Sequence, residues 1–303
     1  MSTLIEQAMQ RLERLRGAGV AAARVNNRNP ASTTVPAAGG RPTASMGPNR
    51  DCATSSVGVS KAIELSAAAM AAARVFPPGS GPVGQAGQFR TMKRPLIKNV
   101  ADLRAAGQHR SNLIMVTSAL AGEGKSFTAA NLAMSMATEL DHTVLLVDAD
   151  VARPSIARML GFQATLGLLD VLEGSVALQD VLLATNVDKL SILPSGTPRP
   201  RATEILASES MRGLLEEMAE RYEDRIIIFD SPPLLLTTEA GVLASQMGQI
   251  VMVVKADSTP QTAVERALAG IASHPVKLLV LNQVHQKMMS GTGYSYGYVY
   301  GGE

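Results

Sequence analysis

Residues 121–126 read AGEGKS, between the apolar run NLIMVT and the helical stretch SFTAANLAMSMATEL. Gly122 and Gly124 let backbone amides approach an anion closely. Lys125 supplies a cation that reaches β- and γ-phosphates, and Ser126 supplies a hydroxyl for Mg²⁺. A helix that starts at the anion adds the positive end of its dipole. This is the Walker A pattern for ATP, and it makes Ala121, Gly122, Glu123, Gly124, Lys125, Ser126 and Phe127 the candidate nucleotide-binding stretch. Ala119 stands where the pattern usually opens with glycine. The plain alternative is a glycine-rich turn before an ordinary helix.

Acids follow at two other places. VLLVDAD puts Asp148 at the end of an apolar run and Asp150 two residues on; RIIIFD puts Asp230 directly after another. Carboxylates at strand ends hold metal ions or accept protons. An acid after a strand, beside the phosphate loop, is the Walker B arrangement. Taken singly, Asp150 reads equally as a helix cap and Asp148 as a solvated turn. Together with the glycine loop they make a phosphate-and-metal site.

These groups need a frame that brings three strand ends together. From residue 111 onward the runs NLIMVT, TVLLVD, LSILP, RIIIFD, QIVMVV and KLLVLN alternate with helical stretches. Each run is apolar at consecutive positions, as strands covered on both faces must be. The expected fold is therefore α/β: a P-loop NTPase fold with a mostly parallel sheet and helices on both faces, preceded by an N-terminal helix and a flexible linker. Ligands in such sheets bind beyond the carboxyl ends of the strands.

The expected organisation has four parts. Leu4, Ile5, Ala8, Met9, Leu12 and Leu15 recur at helical spacing, which predicts an amphipathic helix over 1–25 that docks on protein or lies on lipid. Residues 26–84, rich in Pro, Gly, Ser, Thr and Ala, read as a linker with a short helix. The nucleotide domain spans 85–288, with its first helix broken at Pro95, and a tyrosine tail closes the chain at 289–303. A net charge of +2 gives no ground for nucleic acid as a partner, and one cysteine excludes an internal disulfide framework. No apolar run is long enough to span a membrane, so the expected location is cytoplasmic. Four of five tyrosines, Tyr294, Tyr296, Tyr298 and Tyr300, fall in the last ten residues.

From about residue 85 onward the chain resembles the bacterial tyrosine kinases, which use a P-loop ATPase fold. The Walker A core, DAD, DSPP, LPSGTPRPRATEILAS and the terminal tyrosines carry the resemblance. LIEQAMQRLERLRGAG and RTMKRPLIKN are similar to the exosortase-associated tyrosine autokinase branch. The resemblance implies an ATP- and Mg²⁺-dependent autokinase with Lys125, Asp148, Asp150 and Asp230 as catalytic residues. It implies Ser126, Asp148 and Asp230 on the metal, Asn282 on adenine, and the tail tyrosines as phosphate acceptors on a neighbouring subunit. Arg90 and Lys93 match the basic pair of the family's self-association helix, although Gly87 replaces its acid, and Ala152 stands where a basic residue is common. The implied partners are further copies of the chain, a membrane polysaccharide co-polymerase that holds it at the inner membrane, and a phosphotyrosine phosphatase. Two other functions stay open. One is an ATPase switch of the partition or septum-placing type, whose signature lysine is replaced here by Leu120. The other is a non-catalytic adaptor.

Overall fold

The computed structural model describes residues 61–221 and 224–284. The expected N-terminal helix, the linker up to residue 60 and the tyrosine tail lie outside these residues. The described chain forms one eight-stranded sheet. Its strands are β1 (Lys61–Ile63), β2 (Leu113–Ser118), β3 (Thr143–Asp148), β4 (Leu183–Thr185), β5 (Leu190–Leu193), β6 (Arg225–Asp230), β7 (Gln249–Lys255) and β8 (Lys277–Asn282). They lie in the order β1-β4-β5-β3-β6-β2-β7-β8, and all neighbours are parallel except β4 and β5.

Period-two alternation divides the apolar runs between two cores. Leu113, Met115, Leu145, Val147, Ile227 and Phe229 face one side. They pack there against α5 (Leu168–Leu172), α8 (Glu209–Arg221) and α9 (Thr238–Ser245). Ile114, Val116, Val144, Leu146, Ile226 and Ile228 face the other side. Their partners are α1 (Ala67–Ala73), α2 (Val83–Ala105), α3 (Lys125–Met136) and α4 (Ile156–Leu160). The short helices α6 (Leu178–Val181) and α7 (Ala202–Ile205), and α10 (Gln261–Gly270), complete the layers. Among the described residues no helix is long and apolar enough to cross a membrane.

Four expectations need correction. The fold is already under way at Lys61, well before residue 85. β1 pairs with β4, the Ser66 amide donates to Leu160, and the Phe76 amide donates to the Asn131 side chain. α2 runs through Pro95 without a break. Proline removes the hydrogen bond to Thr91, but both residues are exposed, so water can take the freed carbonyl. The opposite stripe, Phe89, Lys93, Leu96 and Val100, is buried and holds the helix down. β8 is an edge strand with Leu279 and Leu281 exposed, so it is not covered on both faces. The fourth concerns the basic pair on α2.

Arg90 faces solvent, but Lys93 does not. Its Nζ donates to the Ser135 carbonyl and the Thr138 hydroxyl, both at 2.7 Å, and pairs with Glu139 at 2.6 Å. It clamps the C-terminal end of α3, where cations are favoured, and is unavailable to another subunit. Asp170 has a similar internal task. It accepts from the amides of Gly167 and Thr197 and from Arg199, which fixes the loop after β5. Burial opposes its charge, but these donors hold the carboxyl below its ordinary range.

Lys93→Ala is expected to lower the unfolding free energy by about 2 kcal/mol, the partner Glu139 being only partly buried. Urea denaturation checks this, and a cost no larger than that of Arg90→Ala would contradict it.

Candidate active site

The loop between β2 and α3 turns at Gly122 (φ 82°) and Gly124 (φ 94°), both in the left-handed region that favours glycine. α3 starts immediately after, at Lys125. Ala119 is fully buried in an apolar cluster with Met252 and Ala267, so the methyl group replacing the usual glycine hydrogen has a place to pack. The loop is tied down at both ends. The Ser118 hydroxyl donates to the Leu120 carbonyl and the Thr128 hydroxyl to that of Gly124.

β3 and β6 are neighbours in a register that sets Asp148 opposite Asp230. Both carboxylates are buried. Asp148 accepts from the amides of Ser155 and Ile156 at 3.0 Å through one oxygen, capping α4; its other oxygen has no hydrogen-bond partner. Neither oxygen of Asp230 has one. Asp148 is thus a buried carboxyl and a helix cap, not a solvated turn. Asp150 accepts from the Arg153 amide through one oxygen and pairs with Lys125 at 2.7 Å through the other. Lys125 lies 3.6 Å from Asp230.

Three carboxylates therefore share one lysine. Burial pushes the Asp148 carboxyl up to about 7, and Asp230 adds to the push. Complete burial drives Asp230 up to about 6, with Lys125 pulling the other way. Burial works against the charge of Lys125 as well, but Asp230, Asp150 and Asp148 outweigh it and hold its pKa above the ordinary lysine value. Buried carboxylate oxygens without partners, beside a serine hydroxyl, fit a hard divalent cation such as Mg²⁺. Asp148, Asp230 and Ser126 are the residues that would hold it.

Two cavities flank the loop. One, of about 570 Å³, is lined by Gly122, Lys125, Ser126 and Asp150 together with Arg153, Arg158, Pro232 and Leu236. The second, of about 810 Å³, lies at Gly124, Phe127 and Asn282 and reaches Arg74 and Phe89. Sequence reasoning gathered the loop, the three acids and Asn282, and the structure brings all of them to one edge of the sheet. It missed Arg158 and Leu236, which no motif marks, and the wall made by Pro232, whose only signal was the PP after Asp230. It also missed Thr259, which touches the loop from the end of β7. The Asn282 amide donates to the Glu123 carbonyl at 3.0 Å, so in this state it grips the loop.

Known proteins share this fold. The family model described as "ParA: NUBPL iron-transfer P-loop NTPase" matches residues 109–281, more than half of the chain. Tyrosine-protein kinase YwqD of Bacillus subtilis is 33% identical over 209 residues, covering 69% of this chain and 84% of that protein. Tyrosine-protein kinase ptk of Acinetobacter johnsonii is 31% identical over 192 residues, but the match covers only 25% of its length. Among solved structures, the kinase domain of the Escherichia coli tyrosine kinase ETK superposes with a TM-score of 0.51 at 26% identity, covering 65% of this chain and 77% of that one.

The raised acids set a pH dependence. Between the ordinary carboxyl value of 3.8 and about 7, the folded protein holds a proton on Asp148 that the unfolded chain releases. The corresponding stability is present at low pH and is lost as pH rises through about 7. Asp148→Asn keeps an acceptor for the Ser155 and Ile156 amides and removes the charge. At pH 8 the nucleotide-free variant is expected to be more stable than the natural protein by about 1–2 kcal/mol, with the gap closing toward pH 4. Thermal melting across this range checks it.

Proposed function

We propose that this chain, which belongs to the bacterial tyrosine-kinase family of P-loop NTPases, is an ATP-dependent autokinase that phosphorylates its own C-terminal tyrosines. One observation carries the reading. The cavity that holds Lys125 and Asp150 is also lined by Pro232 and Leu236. An apolar surface beside the phosphate loop gives a phenol ring something to pack on, which a site that only hydrolyses ATP does not need, and this supports the reading. Tyr294, Tyr296, Tyr298 and Tyr300 are the proposed acceptors, supplied by a neighbouring copy.

The residues divide the work. The amides around Gly122 and Gly124 and the Lys125 ammonium hold the phosphates. Ser126, Asp148 and Asp230 would hold Mg²⁺, which supplies charge neutralisation on the phosphate oxygens. Binding of the polyphosphate draws Lys125 away from Asp150, its present 2.7 Å partner. Asp150 is then free to accept the proton of the tyrosine hydroxyl. The phenolic oxygen bonds to the γ-phosphorus as the bond to the ADP oxygen breaks, leaving phosphotyrosine and ADP. Asn282, at the second cavity, serves the adenine.

The proposed setting is regulation of exopolysaccharide synthesis and export. The match covers most of YwqD but only a quarter of ptk, which supports a membrane polysaccharide co-polymerase on a separate chain as the partner. That partner would hold the kinase at the cytoplasmic side of the inner membrane, with a phosphotyrosine phosphatase reversing the reaction. The sequence LIEQAMQRLERLRGAG and the α2 stretch RTMKRPLIKN support placement in the exosortase-associated branch. Arg90, exposed on α2, remains available for contact between copies.

Intact mass after incubation with Mg·ATP tests the reading. The full chain is expected to gain up to four phosphates of about 80 Da each. Lys125→Met and a chain ending at Gly293 are expected to gain none. Continued ATP hydrolysis with no mass gain would instead favour the ATPase switch.

A further inference from the structure

Glu123 is a carboxylate only 3% exposed, inside the loop that must receive a polyanion. The phosphate-binding pattern asks for no acid there, and its negative charge is a burden to phosphate binding. Its contacts show what it does. One oxygen accepts from the Leu120 amide at 2.7 Å, folding the side chain back beneath the loop tip at Ala121 and Gly122. The other accepts from the Thr259 hydroxyl. The direction of that bond is set by the rest of the turn. The Lys255 amide donates to the Thr259 oxygen at 3.2 Å, and the Thr259 amide donates to the Lys255 carbonyl at 3.1 Å. The hydroxyl proton is left for Glu123. From the adjacent strand, Asn282 donates to the Glu123 carbonyl, and its own carbonyl accepts from Ala256. A β-carbon at Gly124 would meet the Asn282 amide, so the loop and the end of β8 lie in close contact.

We infer that Glu123 and Thr259 form a latch that presets the phosphate loop from the end of β7, making Thr259 a positioning residue for nucleotide binding. The inference rests on the nucleotide reading of the loop. The latch closes before ATP arrives, so the ordering of the loop is not charged against binding. Loss of either partner then weakens ATP affinity more than it slows phosphoryl transfer from bound ATP. Because the two side chains act through one contact, losing both costs little more than losing one.

The test measures the Mg·ATP dissociation constant by calorimetry on the full chain, with kcat and KM for autophosphorylation. The variants are Glu123→Ala, Thr259→Val, the double variant and Thr259→Ser. Each of the first two is expected to weaken ATP binding about tenfold, with a smaller fall in kcat. The double variant should match the weaker single within about twofold, and Thr259→Ser, which keeps the hydroxyl, should bind like the natural protein. Unchanged affinity in Thr259→Val, or penalties that multiply in the double variant, overturns the latch while leaving ATP binding intact. If Glu123→Ala does not fold, the contrast between Thr259→Val and Thr259→Ser decides alone. If the natural protein shows no ATP binding that Lys125→Met abolishes, the nucleotide reading itself fails and the latch with it.

Discussion

Strand register sets Asp148 against Asp230, and this meeting of two buried negative charges is the constraint around which the site is arranged. Neighbouring strands lie about 4.8 Å apart. At an effective dielectric of 20, two full charges at that spacing repel by about 3 kcal/mol. The sheet cannot relax this by moving either acid, because the strands beneath them are packed on both faces. The molecule answers with protons and with Lys125. A buried ion pair of this kind contributes little net stability. The apolar cores hold the site together, and the charge cluster is held in place by them.

The helices that carry the site are braced from behind by the segment before α2. Asn131 on α3 accepts from the Phe76 amide and donates to the Arg74 carbonyl. α4, capped by Asp148, takes the Ser66 amide on its last carbonyl, and Gly161 just beyond leaves room for Ser66 and Ala69. The stretch from Lys61 to Ser80 thus touches both the helix that follows the glycine loop and the helix capped by Asp148.

Much of this was legible in the sequence. The glycine loop, the three acids and six strands announced themselves because each rests on local chemistry or on a long apolar run. What stayed hidden depends on distant partners. β1 and β4 have three residues each and no apolar signature; they are strands because neighbours give them a ladder. Lys93 reads as a surface cation until α3 is laid beside it. Pro95 reads as a helix break because sequence does not show that the lost hydrogen bond faces water. Thr259 lies 136 positions from Glu123 and meets it only because β7 borders β2. Asn282 was expected beside the base, and the structure adds its grip on the loop.

The attachment of Asn282 to the nucleotide loop also works as a ruler. Tyr294 lies twelve positions beyond Asn282, and Tyr300 eighteen. Covalent geometry limits those spans to about 40 Å and about 60 Å, whatever path the chain takes. Each tyrosine can therefore lie no farther than that from the Asn282 of its own chain. On the proposed exchange of tails, two copies would have to hold their loops within that limit, which is shorter for Tyr294 than for Tyr300. Spacing between copies alone would then select which hydroxyls can be reached.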